Sequence, residues 1–217
     1  PDISSIQGAI SDRTRAIVIA HYFGFINDLS SPSSLCRMHD LVFIEDCAHA
    51  YFGRRGGVQV GCQGDFAIGS TRKFFGMFDG GILGSKSNKA ILDIRLRGPG
   101  IGFQLKAAIN ILERAVAAGK LGLVRPFIRH AMWWKDLVWR KYKMHAAPAG
   151  VSSTGAAEGA YAFEADWMYR RPSLASWMAW KTSSGSRIVE ARRRNYSHFL
   201  RLFKTAPSAI CILPELP

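Results

Sequence analysis

Asp46 closes the run Leu41-Val42-Phe43-Ile44-Glu45-Asp46, and Lys73 follows 27 positions later in Ser70-Thr71-Arg72-Lys73. A lysine amine and a carboxylate are the pair that pyridoxal phosphate chemistry requires. The amine holds the cofactor's aldehyde as a Schiff base, and the carboxylate keeps the pyridine nitrogen protonated. The pair therefore points to a transaminase-like enzyme. Taken singly each residue is bland, since Asp46 also suits a helix N-cap and Lys73 a solvated surface. Glu45 beside Asp46 is not a working carboxylate pair, because adjacent strand residues point to opposite faces.

The elements that must position the pair follow from hydrophobic pattern. Ala16-Ile17-Val18-Ile19-Ala20 reads as a buried parallel strand, followed by a turn at His21-Tyr22-Phe23-Gly24. Asp28 to Met38 opens with capping residues and continues as a short helix, and Leu41 to Ile44 forms the next strand. Strand, helix and strand within about 30 residues make a βαβ unit, whose crossover brings both strands' carboxyl ends to one edge. Asp46 and His49 then lie where α/β sheets hold ligands. His21 and Tyr22 share that rim as candidate contacts to cofactor or substrate, with a structural histidine in a turn as the other reading of His21. Gly53 to Val60 reads as a glycine-rich hairpin and Asp65 to Gly69 as a short strand. Asp79-Gly80-Gly81 turns into one more strand, with its direction left open. Helices are expected over Leu105 to Leu123, Phe127 to Met144, Ser173 to Trp180 and Ser186 to Phe203, and a linker over Ala146 to Gly159.

The series Glu45-Asp46-x-Ala48-His49, Gly64-Asp65, Ser70-x-x-Lys73 and Gly80-Gly81 resembles the DegT/StrS family of sugar aminotransferases, which are fold-type-I pyridoxal phosphate enzymes. Thr14-Arg15-Ala16-Ile17 and His21-Tyr22-Phe23-Gly24 extend the likeness upstream. Arg193-Arg194-Asn195-Tyr196 and Leu213 to Pro217 extend it downstream. The resemblance implies an α/β fold in which residues 1–104 are the carboxyl-terminal part of the cofactor-binding large domain, mainly parallel sheet with helices. Residues 105–159 would be connecting helices and linker, and 160–217 the start of an incomplete small α+β domain. It implies that Lys73 carries the cofactor and shuttles a proton, and that Asp46 pairs with the ring nitrogen. His49 would pack near the ring, Ser70 bind the phosphate and Arg72 add a contact to that phosphate or face solvent. A dehydratase of the same family replaces the lysine by histidine, and Lys73 argues against it. The implied partners are an amino donor, glutamate, and a keto sugar nucleotide for cell-surface polysaccharide, with a homodimer in the cytoplasm. The family's phosphate loop and ring-stacking aromatic lie upstream of Pro1, so the chain is expected to be an interior fragment.

At 217 residues and 48% hydrophobic the chain can bury a core. No apolar run approaches the roughly 20 residues that span a bilayer. Four scattered cysteines show neither zinc spacing nor a disulfide framework, which fits a reduced compartment and no metal. The 29 Lys and Arg against 16 Asp and Glu give a net charge of +13, concentrated in the second half. No recognition module for nucleic acid accompanies that charge. Residues 133–143 interleave tryptophans with cations, a pattern open to an anionic membrane surface or a polyanion. Packing against another segment or subunit is the plainer reading. A basic surface-binding module without activity is thus the alternative to an enzyme.

Overall fold

A computed structural model describes residues 1–87, 91, 94–146 and 165–204. By contact the chain divides into two units, 1–94 with 177–217, and 95–176. These bounds differ from the boundaries at 104 and 159 expected from sequence. The helix Gly185–Lys204 falls in the first unit because it reaches the loops at the sheet's edge, Arg192 meeting Lys73 and Phe74 and Tyr196 meeting Phe25, contacts that local pattern does not display.

The first unit opens with a helix that the sequence reading missed, α1 (Ile3–Ala9). The carboxylate of Asp2 caps it by accepting from the Ser4 amide at 3.1 Å. β1 (Ala16–Ala20), α2 (Ser30–Met38) and β2 (Val42–Asp46) form the expected βαβ unit. Asp28, one residue ahead of the N-cap Leu29, accepts from the Ser30 amide at 2.9 Å. β3 (Arg54–Arg55) and β4 (Val58–Gln59) make the antiparallel glycine hairpin, and β5 (Phe66–Gly69) and β6 (Ile82–Ser85) complete the main sheet. Its order is β1-β2-β5-β6. The first three strands are parallel, with Ala20 level with Asp46 and Asp46 level with Ile68, and β6 returns antiparallel to β5.

One face of this sheet holds the core. Ile17, Ile19 and Phe43 pack against Leu29, Leu35 and Cys36, with Ile6 and Ile10 alongside. Each large apolar side chain buried there contributes about 1.5–3 kcal/mol. The apolar run of β1 had promised a strand covered on both faces, yet Val18 is 55% exposed. The reason is that the packed core lies on one face, where α2 supplies Leu35 and Cys36, whereas Val18 stands with the partly exposed Val42 and Ile68 on the other.

Gly64 and Asp65 join the strands. Asp65 Oδ2 accepts from the Phe43 amide at 2.9 Å, and its own amide donates to the Phe43 carbonyl at 2.8 Å. A Cβ on Gly64 would stand 2.6 Å from the Phe66 carbonyl oxygen and 3.0 Å from that of Phe43. Both are backbone atoms that cannot step aside. Gly64→Ala is expected to lower stability by about 1–3 kcal/mol, as overpacking does. A urea midpoint equal to wild type would contradict that close approach.

The second unit is helical. Ile101–Ala117 starts four residues earlier than expected and ends six residues before Leu123. Gly119, at φ +71°, ends it in a Schellman arrangement, with the Lys120 amide donating to Ala115 and that of Gly119 to Val116. The helix Arg125–Ala146 follows, and Lys135 pairs with Glu113 across the two. Trp133 and Trp134 are each about half exposed. The side chains of 136 and 138–143, most of the basic aromatic stretch, lie outside the described residues, as do the 147–159 part of the expected linker and the motif at 213–217. Leu174–Thr182 and Gly185–Lys204 match the last two expected helices within two residues. Among the described residues no helix is long and apolar enough to cross a membrane.

Candidate functional site

The carboxyl ends of β1, β2 and β5 set the polar groups along one edge. His21 follows β1, and its amide donates to the Asp46 carbonyl at 3.0 Å. Asp46 is the last residue of β2 rather than the residue beyond it, and its carboxylate accepts from the Ala48 amide at 2.9 Å. After β5 the chain makes a 3-10 turn, Thr71–Lys73, closed by the Phe74 amide on the Thr71 carbonyl at 3.2 Å, with the Phe75 amide on the same carbonyl at 2.9 Å. This turn leaves the side chains of Arg72 and Lys73 exposed. Ser70, just before it, is half-buried. Thr71 is 3% exposed, and its hydroxyl finds no partner among the described residues.

A hollow of about 690 Å³ opens beside this edge, and Lys73 lines it with His49, Phe23, Phe74, Arg192 and Tyr196. His49 stands edge-on to Phe23 and Tyr22, with ring centroids 5.5 and 5.9 Å apart. Lys73 and His49 are therefore brought to one cavity, and Tyr22 touches it through His49. Asp46 lies at the same sheet edge but outside the lining, as do Ser70 and Arg72. The far wall comes from the helix Gly185–Lys204, through Val189, Arg192, Arg193, Tyr196 and Phe199. Their spacing of three and four residues marks one helix face. That spacing is visible in the sequence, but nothing local to Arg193-Arg194-Asn195-Tyr196 says which wall the face meets. Four cations, Arg54, Lys73, Arg192 and Arg193, and no carboxylate line the hollow, so it favours anions.

His21 takes a structural place. It is 1% exposed, its Nδ1 accepts from the Asn27 amide at 3.2 Å, and its Nε2 faces Glu45 Oε2 at 3.5 Å. That leaves it no path to the hollow. Glu45, set aside as one half of a carboxylate pair, is fully buried and organises the loop between β4 and β5. It accepts from the amides of Gly61, at 2.8 Å, Gln63 and Gly64. Burial alone would push its carboxyl up, but the His21 contact and these three N–H donors outweigh it and hold the group below its ordinary value.

Cys47 completes a buried trio with His21 and Glu45, their ligand-type atoms within 4.8 Å of one another. Burial first, then the neighbouring carboxylates of Glu45 and Asp46, push its thiol up to about 12. A carboxylate already holding three amides and a thiol that keeps its proton make a packed polar core, poorly suited to a cation. Cys62 is exposed, whereas Cys36 and Cys47 are buried. At neutral pH a thiol reagent is expected to modify Cys62 fast and Cys36 and Cys47 only on unfolding. Peptide mapping of the native protein that found Cys47 labelled as quickly as Cys62 would refute this.

A mainly parallel α/β layer with a lysine-bearing turn on its carboxyl edge defines the architecture. Residues 1–106 match the model of the DegT/DnrJ/EryC1/StrS aminotransferase family. It is 38% identical over 91 residues to the putative L-glutamine:3-amino-2,3-dideoxy-scyllo-inosose aminotransferase of Micromonospora echinospora, covering 41% of this chain and 22% of that protein. Likeness to the GDP-perosamine synthase of Vibrio cholerae is 31% over 147 residues, 65% of this chain and 32% of the relative. The chain thus spans a third or less of the length of these curated relatives. Among solved structures, the aminotransferase TlmJ from Streptoalloteichus hindustanus is 26% identical, with TM-score 0.36 over 41% of this chain and 25% of that one.

Proposed function

We propose that the intact protein is a pyridoxal-phosphate-dependent aminotransferase that passes an amino group, supplied by glutamate, to a keto sugar nucleotide used in cell-surface polysaccharide or a related glycan. It would act in the cytoplasm as a homodimer. The observation that carries this reading is Lys73 on the wall of a cation-lined hollow, one strand over from the carboxylate of Asp46. The match of residues 1–106 to an aminotransferase family model supports it. So do the names of the relatives, an inosose aminotransferase and a GDP-perosamine synthase. Residues 1–104 would then be the carboxyl-terminal part of the cofactor-binding domain.

The residues present suit such a cofactor. A lysine amine, a carboxylate and hydroxyls stand on one sheet edge, and the buried Thr71 hydroxyl without a partner among the described residues is a donor still to be used. Bound pyridoxal phosphate supplies an aldehyde and an electron-withdrawing ring. Lys73 Nζ would hold that aldehyde and, once released, carry a proton to and from the substrate carbon. Asp46 would keep the proton on the ring nitrogen, and His49 would pack against the ring. Ser70, with Arg72, would take the phosphate, and Tyr22 would meet the substrate. His21, buried behind the edge, keeps its neighbours in place and is withdrawn from the substrate contacts.

The test is to incubate the full-length protein with pyridoxal phosphate, reduce with borohydride and map the modified peptide. Label on Lys73 is expected, followed by amination of a keto sugar nucleotide with glutamate or glutamine supplied in turn. Label elsewhere, or none, would sink the proposal.

A further inference from the structure

We propose that Arg192 is a positioning residue for Lys73, acting from the helix Gly185–Lys204 on the backbone of the turn that carries the lysine. Its relevance to chemistry rests on the function proposed above. The guanidinium donates to the Lys73 carbonyl at 2.5 Å, across 119 positions of sequence. The same group lies over the Phe74 ring, 4.5 Å from its centroid. One planar cation thus grips two consecutive residues, one by a charge-assisted hydrogen bond and one by its π face. Lysine in that position would supply the charge without the flat fork.

The turn needs such a grip. Thr71–Lys73 is a single 3-10 turn, and its own closure consists of the Phe74 and Phe75 amides on one acceptor, the Thr71 carbonyl, at 3.2 and 2.9 Å. A 3-10 turn has poorer hydrogen-bond geometry than an α-helix. The Lys73 side chain is exposed, so packing does not fix its stem. A reacting amine on so short a turn drifts unless its backbone is held from outside, and catalytic groups work within about 0.5 Å of their productive position. Phe74 also lines the hollow and meets Tyr51 and Phe52 at 5.7 and 5.6 Å between centroids, so the stack connects Arg192 to a packed aromatic group. Arg192 therefore couples the far wall of the hollow to the residue that reacts in it.

Two measurements on the full-length protein separate this proposal from the functional reading. Without cofactor, hydrogen exchange at the Phe74 and Phe75 amides is expected to rise about tenfold in Arg192→Ala, the factor expected on losing a hydrogen bond to a charged group. Arg192→Lys, which keeps a donor but not the stack, should fall between. With pyridoxal phosphate at saturation, borohydride-trapped attachment to Lys73 should slow about tenfold in Arg192→Ala, with half-saturation changed by less than about twofold. Unchanged exchange in Arg192→Ala overturns the positioning role whatever the cofactor does. So does unchanged attachment, or a weakened half-saturation with an unchanged rate. Faster exchange together with no attachment to wild-type Lys73 would leave the grip on the turn standing and overturn the cofactor reading and the catalytic purpose assigned to Arg192. Phe74→Leu provides the check on the stack. It should raise exchange at Phe75 by itself and add little on top of Arg192→Ala, and full additivity of the two would overturn the shared grip.

Discussion

Lys73→Ala is expected to abolish attachment of pyridoxal phosphate and to lower turnover by about 10³-fold or more in the full-length protein, because a positioned proton carrier alone contributes about 10²–10⁴-fold. The stability of the variant should not change. Lys73 is exposed on its turn, and surface substitutions away from special features fall within about 0.5 kcal/mol of wild type. The combination is diagnostic: a melting temperature equal to wild type, no visible absorption band with cofactor and no trapped peptide assign the loss to chemistry. A variant retaining a tenth of wild-type turnover would remove Lys73 from the reaction. Loss of activity accompanied by a large fall in melting temperature would make its role one of stability.

Glu45→Ala should act in the opposite way, through the fold. The substitution strands the amides of Gly61, Gln63 and Gly64 and leaves His21 Nε2 facing a void in a fully buried place. Breaking a buried polar pair by removing one partner costs about 3–5 kcal/mol, a large part of the roughly 5–15 kcal/mol that holds a domain together. Glu45→Gln keeps the shape but turns an amide group toward N–H donors, and is expected to lose about 1–3 kcal/mol.

The sign of the pH dependence follows from the same contacts. Burial by itself would raise the Glu45 carboxyl, and the His21 contact and three amides bring it below its ordinary value. At acid pH the unfolded chain therefore binds the proton that the folded protein refuses. Its stabilisation is complete above the ordinary carboxylate range and is lost as pH falls through the folded value. Urea midpoints measured from neutrality down through that range should fall more steeply for wild type than for Glu45→Gln. Parallel curves would show that Glu45 does not titrate with folding.

Much of the architecture was legible because it is local. The β-branched runs at 16–20 and 42–46, with a capped helix between them, require a parallel βαβ crossover. That alone places Asp46 on the carboxyl edge. Lys73 follows a third strand by four residues, so it comes to the same edge without any knowledge of packing. What was illegible depends on approach between distant segments. No period reveals that Glu45 reaches under residues 61–64, since a buried carboxylate and a solvated one look alike in sequence. Nothing near Lys73 announces Arg192, which meets it only because a helix 119 residues on lies against the aromatic cluster.

The sequence by itself determined the βαβ unit of β1, α2 and β2 and the edge on which Asp46, His49 and Lys73 stand, because hydrophobic period and turn chemistry are properties of neighbouring residues. Only the tertiary structure decided that His21 is withdrawn into the core, that Asp46 lies outside the lining of the hollow, and that arginines of the 185–204 helix wall it. Those outcomes depend on which distant groups can satisfy one another once water is excluded, and that condition is met only when the chain has closed on itself.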